Sequence, residues 1–277
     1  MQIMMDVLAM FVTNLLGVVA LWSTVLAAPS GRNLQALLDA SKIVDLSYAY
    51  NDATIYWPNL EPLNATFSLT ALWDQQEKGY YYRSKLFRSA EHGGTHLDAP
   101  AHFAKEGKDV SQLEVSQLFG PAVVVNVSAQ VRDNPDYQVS LQDIRQWEAQ
   151  YGAVPDGAFV LMYSNWDSAR YPQKAKVFGS ENYSDVSTLH FPGFHPDATR
   201  FLVKRNIRGI GVDTPSTDYG QSKDFPTHVI LSTHNRIGLE NVANLERVPA
   251  SGALLLAAPL KIEKGSGAPV RLYAFLP

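Results

Sequence analysis

Residues 91–103 hold the densest group of side chains that could perform chemistry. This window reads EHGGTHLDAPAHF and contains three of the seven histidines in the chain. Its candidate side chains are His92, His96, Asp98 and His102. All four have even numbers, so an extended backbone would present them on one face, because strand side chains alternate with period two. The glycine pair at 93–94 and Pro100 disfavour a helix here.

Imidazole nitrogens and carboxylate oxygens are ligands that suit zinc, manganese and iron. The chain has no cysteine, so the cluster favours a catalytic metal with open coordination positions over a closed structural site. Sequence alone leaves two alternatives open. The histidines could be ordinary turn and hydrogen-bonding residues, or a metal could only hold the N-terminal strands together.

The surrounding pattern predicts how these side chains are positioned. Aromatic and β-compatible runs at 67–73 and 80–88 predict antiparallel strands that lead into the window. Further along, strands at 122–127, 158–164 and 207–213 alternate with amphipathic helices at 140–152 and 196–205. This order predicts an α/β fold: a single domain, residues 42–277, with a mixed β-sheet or partial barrel core flanked by helices.

Composition limits the classes of partner and the cellular location. The 277 residues carry a net charge of −4, which provides no basic field for nucleic acid. Residues 1–28 are apolar and end in small residues, which predicts a signal peptide and a secreted protein. A retained membrane anchor is the alternative, because the run approaches the length that a bilayer requires. If the leader is cleaved, no stable membrane association is expected.

The sequence HGGTHLDAPAHF resembles the signature of the metal-dependent cyclase family, which includes bacterial kynurenine formamidase and isatin hydrolase. The resemblance covers most of residues 42–277 and extends to the block GVDTPSTDYGQSKDF at 211–225. It implies that His92, His96 and Asp98 bind a divalent metal, zinc or manganese. It also implies that His102 acts as acid and base.

The resemblance reaches two further residues near the C-terminus. In the two-metal formamidases of the family, a histidine and a glutamate twelve residues later complete the site, and His228 and Glu240 have this spacing. One branch uses one metal and another uses two, so the spacing leaves the metal count open. Family relatives are commonly oligomeric, which implies a homo-oligomer.

Three residues are candidates for contact with a small-molecule substrate. Trp57 could line an aromatic pocket or belong to the core, and Ser216 and Gln221 could bind substrate or only stabilise their own turns. Resemblance and chemistry together predict a hydrolase that cleaves a carbon–nitrogen amide bond in a small planar substrate, of the arylformamidase (N-formylkynurenine) or isatin hydrolase type. The alternative is a secreted, non-catalytic binding protein on the same metal-binding fold.

Overall fold

The computed structural model describes residues 42–63, 66–75, 79–166 and 170–277. The predicted leader, residues 1–28, and the boundary of the domain before Lys42 lie outside these residues. Residues Ile43–Pro277 form one compact unit, and the structure below is that of this unit.

Twelve strands are described. They are β1 Ile43–Asp45, β2 Ser68–Gln75, β3 Tyr82–Arg88, β4 His96–Asp98, β5 Phe119–Asn126, β6 Gln138–Val139, β7 Phe159–Tyr163, β8 Gly193–Phe194, β9 Gly209–Val212, β10 Ile237–Glu240, β11 Ala253–Pro259 and β12 Gly267–Phe275. The described α-helices are α1 Ser128–Asp133, α2 Leu141–Tyr151, α3 Lys174–Val177, α4 Pro196–Lys204 and α5 Pro226–Thr233.

Seven of these strands close into a barrel. They follow the order β12, β11, β5, β7, β9, β10 and β4, and β4 pairs again with β12. The pairs β5–β7, β7–β9 and β9–β10 are parallel, because helices cross over between them, and the remaining pairs of the ring are antiparallel. The predicted α/β domain with a mixed, barrel-like sheet is confirmed, and the barrel is closed.

Alternation along the strands divides the apolar residues between two cores. On β5, Val124 points into the barrel interior, whereas Val123 and Val125 belong to the layer between the barrel and its helices. Neighbouring β7 repeats the pattern, with Leu161 inside and Met162 outside. The helices therefore pack on the outer surface of the barrel, which the alternate strand residues make apolar.

The two longer crossover helices begin and end where the sequence predicts. Ser140 caps α2 by accepting a hydrogen bond from the backbone N–H of Asp143, and Gly152 ends it with a φ of 91°. His195 caps α4 by accepting a hydrogen bond from the backbone N–H of Asp197. Within the described residues, no helix is both long and apolar enough to cross a membrane.

Candidate metal and active site

The candidate ligands converge because three strands meet at the barrel seam. In the β4–β10 pair, His96 lies directly opposite Glu240 and Asp98 lies opposite Gly238. Strand β12 pairs with β4 from the other side and places Gly267 opposite Asp98. Residues that are far apart in the sequence thus become cross-strand neighbours.

Glycines make room for the ligand side chains at this seam. A Cβ atom on Gly238 would lie 2.9 Å from Oδ2 of Asp98, and one on Gly267 would lie 2.4 Å from Cε1 of His92. Any larger residue at either position would displace a candidate ligand. Glycine at these two positions is therefore part of the construction of the site.

His96 and Asp98 form the centre of the cluster, and both are buried. Nε2 of His96 lies 3.3 Å from Oδ1 of Asp98 and 3.4 Å from Oε2 of Glu240. His92 approaches from the preceding turn, with Nδ1 2.7 Å from the same Oδ1 of Asp98. Only residues 96–98 of the histidine window are a strand, so the predicted extended face holds for His96 and Asp98, whereas a turn brings in His92.

His228 joins the cluster from the first turn of α5. Its Nε2 lies 3.1 Å from Oε1 of Glu240 and 3.5 Å from Oδ2 of Asp98. The two oxygens of Asp98 therefore face different histidines, with Oδ1 toward His92 and His96 and Oδ2 toward His228. The structure thus brings all five sequence-predicted metal ligands together.

The outer nitrogen of each histidine contacts a fixed polar partner. His96 Nδ1 is 3.0 Å from the carbonyl of Gly94, and His228 Nδ1 is 2.7 Å from Oδ2 of Asp218. His92 Nε2 is 2.9 Å from the hydroxyl of Ser266. Such outer partners fix the orientation of a ligand ring and decide which nitrogen carries the proton.

His102 ends a short 3-10 helix, Pro100–His102, beside this cluster. Its ring stacks on the ring of His92 with centroids 3.8 Å apart, and it lies at 5.8 Å from the ring of His228. Two groups of candidate ligand atoms lie within 4.8 Å of one another: His92, His96 and Asp98, and Asp98, His102 and His228. Asp98 belongs to both groups.

Burial and opposed charges set the protonation of the cluster. Burial alone would lower the pKa of His96, but the carboxylates of Asp98 and Glu240 raise that pKa to about 9. For His228, burial is likewise outweighed by Asp218, Asp98 and Glu240, so its pKa is raised well above the usual range. Burial would raise the pKa of Asp98, but the histidines hold it well below its usual value.

His102 behaves in the opposite way. Burial, together with the charges of the neighbouring histidines, lowers its pKa to about 4 against the attraction of Asp98. The ring is therefore neutral at physiological pH, and one of its nitrogens carries a lone pair. The pKa of His102 is therefore lowered, whereas the pKa values of the buried His96 and His228 are raised.

The residues fit a divalent cation. Oδ2 of Asp98 is buried without a hydrogen-bond partner, and such an atom carries a desolvation cost that a cation would remove. Carboxylates that hold protons on the neighbouring imidazoles would also hold a metal ion in place of those protons. His92, His96, Asp98, His228 and Glu240 are the residues that could hold it.

A cavity of about 340 Å³ opens onto the cluster. Trp57, Phe103 and Phe225 line it on one side, with the Phe225 ring 6.2 Å from that of Trp57 and 5.7 Å from that of Phe103. Phe225 has a left-handed backbone with a φ of 45°, which is rare for a bulky residue and more so before a proline. The strained backbone directs this ring toward the wall of the cavity.

Of the three predicted substrate contacts, Trp57 and Ser216 line this cavity. Gln221 instead points to His190, with its side-chain nitrogen 3.2 Å from Nε2 of that histidine. His190 in turn contacts Asp136 at 2.7 Å. The structure therefore joins Gln221 to this separate hydrogen-bonded group, because the turn after Asp218 directs it away from the metal cluster.

Sequence reasoning missed several residues that complete the site. The backbone N–H of Thr217 donates to Oε1 of Glu240 at 2.9 Å, and Ser266 links His92 to Glu91. Phe103 and Phe225 are the last residues of the motifs HGGTHLDAPAHF and GVDTPSTDYGQSKDF, so an aromatic residue at the end of each motif was the available signal. Ser266 lies in a short polar loop that carries no local signal.

Comparison with known proteins gives the family. The family model described as "Putative cyclase" matches residues 44–219. The chain is 38% identical to isatin hydrolase of Roseibium aggregatum over 196 residues, 68% of this chain and 72% of that protein. It is 32% identical to kynurenine formamidase of Bacillus cereus over 234 residues, 84% of this chain and 97% of that protein. The chain therefore belongs to the cyclase family.

Solved structures agree with this assignment. Isatin hydrolase A from Ralstonia solanacearum superimposes with a TM-score of 0.79 at 31% identity, covering 91% of this chain and 99% of that chain. The mixed barrel flanked by helices is thus the fold of isatin hydrolase. The resemblance that the histidine window predicts is confirmed.

Proposed function

We propose that this protein is a metal-dependent amidohydrolase that cleaves the carbon–nitrogen bond of a small planar substrate. The observation that carries the proposal is the buried cluster of His96, Asp98, His228 and Glu240 beside an aromatic-lined cavity. Catalytic metal sites are built in this way, from imidazole and carboxylate ligands beside an open pocket.

The cofactor of the proposal is a divalent cation, zinc or manganese. His92, His96 and Asp98 would hold it, with His228 and Glu240 as further ligands. When bound, such a cation polarises a carbonyl and makes water more acidic. Because one oxygen of Asp98 faces His92 and His96 and the other faces His228, a second cation could be held by Asp98, His228 and Glu240.

His102 is the proposed acid and base. Its neutral ring accepts a proton from the attacking water while the water oxygen bonds to the carbonyl carbon of the substrate. The carbon–nitrogen bond then breaks, and His102 returns the proton to the leaving nitrogen. The stacked ring of His92 and the ring of Phe103 hold His102 in position for both transfers.

Trp57, Phe103 and Phe225 are the proposed recognition surface for the substrate. Aromatic rings that surround a slot favour a flat, aromatic ligand. The named relatives, isatin hydrolase and kynurenine formamidase, support an amide attached to a benzene ring. We take a cyclic amide of the isatin type as the leading substrate and an N-formylated arylamine of the N-formylkynurenine type as the second candidate.

The non-catalytic binding protein is the weaker proposal. Its cavity would need no proton acceptor, yet the rings of His92 and Phe103 hold His102 beside the ligand cluster. The relatives reported above are also named for catalysis.

Secretion and cleavage of residues 1–28 remain part of the proposal. We also propose that the protein binds no nucleic acid, in keeping with its net charge of −4. N-terminal sequencing of protein exported from a secreting host tests the leader. A mature protein that still begins at Met1 would contradict cleavage.

The decisive experiment joins metal analysis to activity. Purified protein is assayed for metal content and for hydrolysis of isatin and of N-formylkynurenine, alongside His96→Ala and His234→Ala. His234 lies at the end of α5, away from the cluster, and its Nδ1 is 2.8 Å from the carbonyl of Ile230. His96→Ala should lose metal and activity together, while His234→Ala keeps both. Full metal content in His96→Ala protein would show that the site is wrongly assigned.

A further inference from the structure

The hydroxyl of Ser266 lies between a glutamate at the protein surface and a candidate metal ligand. Its Oγ atom is 2.6 Å from Oε2 of Glu91 and 2.9 Å from Nε2 of His92. The backbone N–H of Ser266 donates to the same Oε2 at 3.1 Å. The side chain of Glu91 is 34% exposed and that of His92 is 20% exposed. The three side chains therefore form a hydrogen-bonded chain that runs from the protein surface to the cluster.

The hydrogen bonds of this chain have one direction. A carboxylate only accepts hydrogen bonds and a hydroxyl has a single hydrogen, so Ser266 donates that hydrogen to Glu91. The hydroxyl oxygen then presents a lone pair to His92, and Nε2 must supply the hydrogen of this contact. A neutral imidazole carries hydrogen on one nitrogen only. The lone pair of Nδ1 is therefore left for the side of Asp98, where Nδ1 lies 2.7 Å from Oδ1 and a cation would replace a shared proton.

This arrangement makes His92 the reverse of the two other candidate histidine ligands. His96 and His228 place Nδ1 against a carbonyl and a carboxylate, so their Nε2 atoms face the cluster. His92 instead faces the cluster with Nδ1. Outer partners of this kind decide which ring nitrogen is available to a metal. For His92, that choice of nitrogen depends on Ser266.

Glu91 removes the competing arrangement. Without an acceptor for its hydrogen, the Ser266 hydroxyl would rotate and donate to Nε2 of His92. The hydrogen of the neutral imidazole would then lie on Nδ1, and Nδ1 would have no lone pair for a cation. Glu91 does not reach His92 directly, because Oε2 is 4.0 Å from Nε2, beyond hydrogen-bond distance. The influence of Glu91 on His92 therefore passes through Ser266.

The loop before β12 holds this hydroxyl in place. The carbonyl of Gly265 accepts a hydrogen bond from the backbone N–H of Val110 at 3.0 Å, and the carbonyl of Ser266 accepts from that of Ala99 at 2.9 Å. A Cβ atom on Gly265 would lie 3.0 Å from Oε1 of Glu91, so the glutamate packs directly against the loop. The position of the hydroxyl is therefore set by the backbone on both sides of Glu91 and His92.

We propose that Glu91 and Ser266 are positioning residues that select Nδ1 of His92 as the nitrogen that ligates the metal. This inference rests on the metal-dependent function proposed above and deepens it. The ring of His102 stacks on that of His92, so the same hydrogen-bonded chain also orients the surface against which the proposed acid and base lies.

The first test measures zinc affinity. The zinc-loaded full chain is titrated with a competing chelator, alongside Ser266→Ala and Glu91→Ala. Loss of an outer partner of a histidine ligand weakens metal binding by roughly 10- to 100-fold, and this loss is expected for both variants. Glu263→Ala is the matched control, because Glu263 is an exposed glutamate of the same loop, and it should bind zinc as the wild type does. If circular dichroism shows that Ser266→Ala does not fold, Glu91→Ala at the exposed end of the chain replaces it.

Two further variants separate the direction of the hydrogen bond from the charge of Glu91. Glu91→Gln keeps an acceptor oxygen for the hydroxyl, so it should bind zinc more tightly than Glu91→Ala. Because Glu91 acts through Ser266, the double variant Glu91→Ala/Ser266→Ala should bind zinc no more weakly than Ser266→Ala alone. If Glu91→Gln is as weak as Glu91→Ala, or if the two losses add in the double variant, Glu91 acts by its charge and the proposal fails.

The second test locates the hydrogen on each ring by nitrogen NMR of the zinc-loaded chain with ¹⁵N-labelled histidine. The hydrogen of His92 should lie on Nε2, and those of His96 and His228 on Nδ1. A hydrogen on Nδ1 of His92 would overturn the proposal. His96→Ala, titrated in parallel, tests the metal site itself: zinc affinity equal to wild type there would remove the proposed function. If His96→Ala loses zinc while Ser266→Ala keeps wild-type affinity, the proposed function stands and only the present inference is wrong.

Discussion

Stability of the metal-free protein should fall as pH rises, because two buried histidines bind protons more tightly when the protein is folded. The pKa of His96 is raised to about 9 from an ordinary value near 6.5. The stabilising contribution is complete below about pH 6.5 and disappears as the pH rises through about 9. His228 acts in the same direction, because its pKa is also raised.

The magnitude follows from the shift at His96. Raising the pKa of His96 from 6.5 to about 9 corresponds to about 3 kcal/mol of unfolding free energy. For a domain of this size, 1 kcal/mol changes the melting temperature by roughly 2–4 °C, so a decrease of about 6–12 °C is expected. A divalent metal replaces the protons, so the metal-loaded protein should lose much less.

The assay is thermal unfolding of chelator-treated protein at pH 6 and pH 9.5, repeated with metal. His96→Gln is the matched variant, because it keeps a polar side chain but has no titratable ring. Its metal-free form should lose about 3 kcal/mol less across this range than the wild type. Equal losses in wild type and variant would refute the electrostatic account of the cluster.

Three further predictions concern activity and metal binding. His102→Ala should keep its metal content while turnover falls at least about 100-fold, and metal loss in proportion to activity would make His102 a ligand. Glu240→Gln should weaken metal binding with the fold intact, because charge is lost and volume is kept; unchanged affinity in a metal titration would give Glu240 a purely structural role. Phe225→Gly should relieve the left-handed backbone, so the melting temperature is kept or raised, while KM for an aromatic amide rises about tenfold. A fall in stability with KM unchanged would instead make Phe225 a packing residue.

Local sequence patterns were sufficient to predict the main strands and helices and the central residues of the candidate metal site. Short apolar runs predict the barrel strands at 122–127, 158–164 and 207–213, and Ser140 and Gly152 mark the ends of α2, because these signals act over a few residues. The histidine window likewise places His96 and Asp98 on one short strand. Closure of the barrel could not be predicted, because the pairing of β4 with β12 joins residues about 170 positions apart in the sequence.

The parts of the site that could not be predicted from local sequence depend on contacts between residues far apart in the chain. The proximity of Glu240 to His96 depends on the register of β4 against β10, and only family resemblance indicated it beforehand. Ser266 contacts His92 through the same barrel closure, without any local motif. Gln221 lies in the block 211–225, which resembles a family signature and suggested contact with substrate. The local turn instead directs its side chain to His190.

The pairing of the last strand with β4 also sets the time at which the site can form in a growing chain. During synthesis the histidine window leaves the ribosome long before Gly267 and Ser266, which complete its surroundings. The candidate ligands can therefore assemble only after residues 266 and 267 have been synthesised, about 170 residues later than the window itself. Removal of residues 266–275 would remove the strand that closes the barrel and, with it, contacts of His92 and Asp98.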